Sequence, residues 1–327
     1  MKTWQTILAA ALLTAGAWAC GGGNNDPGVD GDLDNETTSE AETVEETVQC
    51  FTDLNVGEAV VFNQADLQGC EGIAFDGLGG LFVSSNHMVL KFAADGSFTK
   101  AADIPYAIGM AFDAAGDLVV ADFGESFSAG DQDGVMFRID SAGVVHTLND
   151  GGMSNPNFVT RTPWGTYLIS DDMAPEIWEM TDDGQMALWC DQVPSPNGMV
   201  FDSSGTVLYV AVTFDDSSPI YRITVADGKP GQVALFVNLD DLKSRNDGMA
   251  MDRDGNLYVA ANGKGKIVKV TPGGQKTVVA ESDLLTPASI AFGRGPGFDP
   301  CSIYVTELLG YRVWRISLGV AGMPLYY

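Results

Sequence analysis

The chain is 327 residues long, 45% hydrophobic, with a formal net charge of -27. That hydrophobic fraction supports a substantial core, and the length beyond a short leader suits one large all-β domain. From residue 50 onward there are 16 bases against 35 acids, a balance that repels phosphate backbones and argues against nucleic-acid binding.

Residues 1–20 read as a signal peptide. Lys2 is followed by an apolar run, 7–13, that is too short to span a bilayer. Ala17, Trp18 and Ala19 form a signal-peptidase site, and the small residues before Cys20 also resemble a bacterial lipobox. Residues 21–49 carry nine acids and almost no large apolar side chain, so they cannot bury enough surface to fold. A disordered acidic tether behind a lipid anchor at Cys20 is the expectation. The domain would then stand on the bacterial outer membrane or cell surface, with plain secretion as the alternative.

Four cysteines remain, Cys50, Cys70, Cys190 and Cys301. In an oxidising compartment an even number suggests disulfides, and three connectivities are open.

From residue 50 to 327 one pattern recurs. A small residue opens an apolar pentad, as in Gly72, Ile73, Ala74, Phe75 and Asp76. An Asp/Gly turn and a β-rich segment follow. The copies begin at Gly72, Gly109, Phe158, Gly198, Gly248 and Ser289. Spacings of 37 to 50 residues with short strands in each unit are the signature of propeller blades. Asp113 with Gly116, Asp202 with Gly205, and Asp252 with Gly255 mark the hairpin turns. Third strands are expected at 135–139, 220–224, 267–270 and 312–316, and fourth strands at 232–236 and 276–279. The last unit ends after its third strand, near Ser317. An extra strand at 58–62 precedes the first unit. The expected fold is therefore a six-bladed β-propeller whose N-terminal strand closes the last blade and hides its edge.

The first strand of each blade lines the central channel, so the position just before it converges on one mouth. That position holds Glu71 in blade one, Asn157 in blade three, Asn197 in blade four and Asp247 in blade five. Ile108 and Ala288 occupy it in blades two and six. A turn-forming role explains one such residue but not four at one repeat position. Converging oxygens with two negative charges suit a hard divalent cation: Ca²⁺ first, with Mg²⁺, Mn²⁺ or Zn²⁺ as alternatives. Second strands return to the same rim, ending at Ser85, Asn86 and His87, at Asp122, at Asp171 and Asp172, at Thr213 and at Asn262. Asp171 is the favoured substrate-binding residue among them, because it leaves the blade that carries Asn157. The acidic loop 123–134 is the candidate lid. His87 lies on the rim without a favoured role, and His146 is expected on the surface.

Glu71 with 72–76, Pro196 and Asn197 with 198–202, Asn246 and Asp247 with 248–252, and the stretches 304–307 and 312–315 together resemble the gluconolactonase/regucalcin family of metal-dependent propellers. The resemblance covers about 55–318. It implies that Glu71, Asn197 and Asp247 are metal ligands and that Asn157 lies beside the metal or the substrate. It also implies hydrolysis of a lactone or ester, with Asp247 as the base. Two positions depart from the family: Phe158 stands where Asp is usual, and Asn155 stands where some members place a substrate-binding Arg. A more apolar substrate than a sugar lactone is thereby in view. A monomer is expected. The competing readings are a non-catalytic cell-surface propeller that binds a protein or glycan, and a paraoxonase-like esterase or a lyase on the same scaffold.

Overall fold

A computed structural model describes residues 48–326 except 64, 66, 127, 129, 240 and 282. The signal peptide, nearly all of the acidic tether and Cys20 lie outside the described residues. The rest form twenty-four strands, β1–β24 in chain order, in six four-stranded antiparallel sheets. One short 3-10 turn, Asn262–Lys264, is the helical element among the described residues.

Each sheet is one blade. The inner strands are β2 (Cys70–Phe75), β6 (Ala107–Phe112), β10 (Pro156–Arg161), β14 (Pro196–Phe201), β18 (Asn246–Met251) and β22 (Pro287–Phe292). The second strands are β3 (Leu81–Ser85), β7 (Leu118–Asp122), β11 (Tyr167–Asp171), β15 (Val207–Val212), β19 (Leu257–Ala261) and β23 (Ser302–Glu307). They are almost wholly buried, because each faces an adjacent blade on both sides. Six apolar clusters fill the gaps between blades. Phe82 and Val89 of blade one meet Met110 and Phe112 of blade two. Leu168 and Ile177 of blade three meet Met199 and Phe201 of blade four. The core is thus a ring of six wedges around a channel.

The sixth blade is closed as expected. β1 (Ala59–Val61) pairs antiparallel with β24 (Val313–Ser317), Val60 opposite Arg315. That gives the order β1-β24-β23-β22, so β24 is covered and blade six has four strands like the other five. A disulfide joins Cys50 to Cys301 just upstream of that strand, while Cys70 and Cys190 are free and buried. They sit in the wedges beside blades one and four, so one of the three connectivities contributes one bond and the second is not formed.

One local device recurs in all six blades. The pairing of inner to second strand slips between the first and fourth inner residues, as between Cys70 and Ile73 or Asn246 and Met249. This is a β-bulge at every channel entrance, and bulges re-aim the residues they contain. Glu71, Asn157, Asn197 and Asp247 are each the second residue of an inner strand. They therefore lie inside the strands, at the bulge, and not just before them.

The third residue is glycine in four blades because inner strands crowd there. A Cβ on Gly72 would be driven into the carbonyl of Ile108, and one on Gly109 into that of Asn157. Both obstacles are backbone and cannot rotate away. Gly72→Ala is expected to destabilise the domain by about 3 kcal/mol or more through overpacking. Urea unfolding followed by circular dichroism measures this, and a change below about 1 kcal/mol would show that the hub can spread.

Candidate functional site

The repeated bulge brings one side chain from each of four blades to the same mouth of the channel. Glu71, Asn157, Asn197 and Asp247 are all buried, with 2–8% of their surface exposed. Glu71 is fixed from the neighbouring blade, for Thr306 Oγ1 in β23 donates to its carbonyl. Asn157 Nδ2 reaches Glu71 Oε1 at 3.5 Å and Asp172 Oδ2 at 3.3 Å. Asn197 Nδ2 donates to Thr213 Oγ1 at 3.0 Å, and Asn262 Nδ2 donates to Asp247 Oδ2 at 3.2 Å.

These contacts share one pattern. In blades three, four and five the residue just after the second strand (Asp172, Thr213 or Asn262) bonds the second residue of its own inner strand. Thr213 goes further, donating from its hydroxyl to Asn246 O at 3.0 Å. That bond ties blade four to the strand that bears Asp247.

The last residue of the second strand does something else. Asp171 accepts the N–H groups of Ser154 at 2.7 Å and Asn155 at 3.1 Å. Asp122 accepts those of Tyr106 and Gly124, both at 3.0 Å. Ser85 Oγ accepts from Gln68 N at 3.2 Å, and Glu307 Oε1 from Leu285 N at 2.5 Å. In four blades this position anchors the loop that leads into the inner strand. Asp171 has no exposed surface, and its carboxylate is occupied by that loop. The structure therefore brings Asp172, not Asp171, to Asn157. The physical reason is the strand's alternation: adjacent residues point to opposite sides.

Asn155 is likewise structural. Its side-chain amide donates to Phe123 O at 3.2 Å and Ser126 O at 2.8 Å. Gly130 N donates to Ser154 Oγ at 2.8 Å. The acidic loop 123–134, considered as a lid, is thus pinned to the loop ahead of β10. His87 hydrogen-bonds the carbonyl of Pro105 through Nδ1 and meets the Tyr106 ring edge-on, 5.6 Å between centroids. Neither contact involves the four convergent residues. His146 is exposed and paired with Asp140 at 2.8 Å.

The electrostatics follow from burial. The Glu71 carboxyl is pushed well up, first by burial, then by repulsion from Asp247 and Asp172, against a stabilising bond from Asn157. Asp172 is pushed well up by burial and by Asp171 and Asp247. Burial also raises Asp247, although Gly248 N–H, Asn262 and Asn197 pull it back. Three buried carboxylates that repel one another call for a positive charge. Within this set Asp247 Oδ1, Asn197 Oδ1 and Asp172 Oδ1 have no hydrogen-bond partner, and neither do other buried oxygens of the domain such as Asn155 Oδ1, Asn246 Oδ1 and Glu307 Oε2. Buried polar atoms are seldom left so. Bare oxygens without a competing donor are what a hard cation coordinates. Among the described residues no three His, Cys, Asp or Glu side chains form a metal-holding cluster by themselves. Any cation here would rely on asparagine oxygens as well as carboxylates, which is the mixed set that the repeat supplies.

Residues 169–307 match the family described as SMP-30/Gluconolactonase/LRE-like region. The matched stretch holds Asp172, Asn197 and Asp247 and begins after Glu71 and Asn157. Among solved structures, a gluconolactonase from Xanthomonas campestris is similar at 19% identity and a TM-score of 0.66, over 81% of this chain and 89% of that one. The calcium-binding protein regucalcin from Agrobacterium tumefaciens gives 19% identity and a TM-score of 0.65, over 82% and 96%. A luciferin-regenerating enzyme gives 16% and 0.66, over 82% and 99%. No curated protein sequence matches the chain.

Proposed function

We propose, from the SMP-30/gluconolactonase-type domain that this chain carries, that the protein is a metal-dependent hydrolase of lactones or related esters. The observation that carries the reading is the set of bare oxygens on Asp247, Asn197 and Asp172 beside Glu71 at one channel mouth. A non-catalytic scaffold has no need to bury unpaired oxygens among three carboxylates, because each costs free energy.

Glu71, Asn197 and Asp247 would hold the divalent ion, Ca²⁺ before Mn²⁺, Zn²⁺ or Mg²⁺, with Asn157 beside it. When bound, such an ion acts as a Lewis acid toward a carbonyl oxygen. The protein's own groups do the remainder. Asp247 Oδ2 accepts from Asn262, which orients the carboxylate that would both hold the ion and accept a proton from an attacking water. Asn157 bridges Glu71 and Asp172 and holds both carboxylates in place. Thr213 fixes the Asn197 amide, so that its oxygen faces the channel. The preorganised set needs little rearrangement during the reaction.

The same proposal includes export and a lipid anchor at Cys20, with residues 21–49 as a tether. The Cys50–Cys301 disulfide supports an oxidising compartment.

The test is hydrolysis of δ-gluconolactone and of aromatic lactones by the chelated protein, then after addition of Ca²⁺, Mn²⁺ or Zn²⁺. Turnover that returns with metal is expected. Metal should also raise the unfolding midpoint, because a ligand at a hundred times its Kd stabilises by about 2.7 kcal/mol. Absence of turnover together with no bound metal by elemental analysis would leave a binding propeller as the better account.

A further inference from the structure

The domain is strongly acidic, and the loops on one arc of its site face mix bases with acids, Lys243, Arg245 and Lys264 beside Asp215, Asp216 and Asp241. Lys243 and Arg245 lie in the loop that leads into β18, and Lys264 lies in the turn Asn262–Lys264. The two loops are joined, since Gly263 N donates to Ser244 O at 2.8 Å. Both end on the site. Arg245 directly precedes Asn246 and Asp247, and Asn262 bonds Asp247.

Arg245 is held with care. Its backbone is left-handed, φ +50°, as are those of Gly69 and Ser195 at the same place ahead of β2 and β14, so the blade repeat itself fixes where this side chain projects. Its guanidinium lies 5.7 Å from the centre of the Phe214 ring and donates from Nη1 to Thr213 O at 3.3 Å. Thr213 is the residue that fixes Asn197. One side chain therefore separates the guanidinium from the convergent oxygens. The side chain is 22% exposed, while the acid nearest to it, Asp216, is 64% exposed and 3.8 Å away. Asp216 is shared with Lys243 at 3.6 Å. A pair that long and that wet is screened and holds Arg245 weakly. Phe214 is 39% exposed, a flat apolar surface on the same rim.

We propose that Arg245 determines specificity, and that the substrate is a lactone or ester with an anionic group, carboxylate or phosphate, set apart from its reacting carbonyl. The inference rests on the hydrolase reading above. The planar guanidinium fork matches such anions with paired hydrogen bonds, and Phe214 covers the apolar part between the two ends. The three carboxylates at the channel would repel an anion placed at the reacting end. The charge must therefore lie outward, over blades four and five, where Arg245, Lys243 and Lys264 stand.

The experiment uses the full-length protein with a matched set of aryl lactones or esters: neutral, carboxylate-bearing and phosphate-bearing. The wild type should prefer at least one anionic probe by on the order of tenfold in kcat/KM. Arg245→Gln should abolish that ratio mainly through KM, and Arg245→Lys should restore part of it. A general folding defect lowers all probes together and leaves the ratio unchanged. Preference for one anionic probe alone tells carboxylate from phosphate. A second measurement covers a failure of the hydrolase reading: calorimetric binding of benzoate and phenylphosphate to wild type and Arg245→Gln. Arg245-dependent binding without turnover would sink the hydrolase reading and keep the anion site. Turnover with equal neutral and anionic rates, or a ratio that survives Arg245→Gln, would overturn the inference and leave the hydrolase standing.

Discussion

Asp247→Asn is expected to lower kcat/KM for lactone hydrolysis by roughly a thousandfold, about 4 kcal/mol of transition-state stabilisation. The substitution keeps the shape of the side chain. Only the charge and one oxygen change, and they change at a buried carboxylate whose Oδ1 has no partner while Oδ2 accepts from Asn262. Stability should move the other way. Glu71, Asp172 and Asp247 repel one another in the metal-free protein, so neutralising one of them removes repulsion. The metal-free variant should unfold at a midpoint no lower than that of the chelated wild type. The variant should also lose the stabilisation that added Ca²⁺ or Mn²⁺ gives the wild type. Activity within tenfold of wild type would remove Asp247 from the reaction. Lost activity with a fallen midpoint would mean only a damaged fold.

The blade pattern was readable because its cause is local. The crowding of inner strands favours glycine at the third position in four of the six blades, so Gly72, Gly109, Gly198 and Gly248 recur and mark them, while Phe158 and Ser289 stand there in blades three and six. The same crowding made the site position countable, which is why Glu71, Asn157, Asn197 and Asp247 could be aligned without a structure. The bulge that aims them could not be read. It is a property of pairing with the second strand, and no residue type announces it. That Asp172 rather than Asp171 bonds Asn157 has the same root. Asp171 ends β11 and Asp172 follows it directly, so a single step decides which meets Asn157 and which holds the loop. Arg245 carries no such mark in the sequence, because its surroundings come from Phe214 and Thr213, some thirty residues away. Cysteine pairing was open for a similar reason: Cys50 and Cys301 are 251 residues apart and meet only when the ring closes.

That closure carries the second large effect. A ring of blades held by non-covalent contacts opens at its weakest junction, and here the junction is the return of the N-terminal segment to blade six. Several contacts secure it. β1 pairs with β24 over three residues, Phe51 N donates to Asp299 Oδ1 at 3.0 Å, and Arg315 forks onto Asp53 at 2.7 and 2.9 Å. The Asp53 side chain is 55% exposed, so that ion pair contributes little. The disulfide contributes most. Linking residues so far apart removes a large share of the unfolded chain's freedom, roughly 5 kcal/mol in the chain-entropy account, with measured values more often 2–4. Replacing Cys50 and Cys301 together by serine is expected to cost about 4 kcal/mol in urea unfolding, and reduction of the wild type should match it. The loss should deepen in acid. Burial alone would raise the Asp299 carboxyl, but Phe51 N–H, the Ser302 hydroxyl, Cys301 N–H and Arg315 together hold it below its ordinary value. A lowered carboxyl adds stability above its unfolded pKa of about 4, and that stability disappears as the pH falls through the lowered value. With the disulfide gone, the N-terminal segment would rest on β1 and Asp299, so the reduced protein should lose its closure first as the pH drops below 4. A reduced protein as stable as the oxidised one, at neutral pH and in acid alike, would mean that packing between blades closes the ring without the staple.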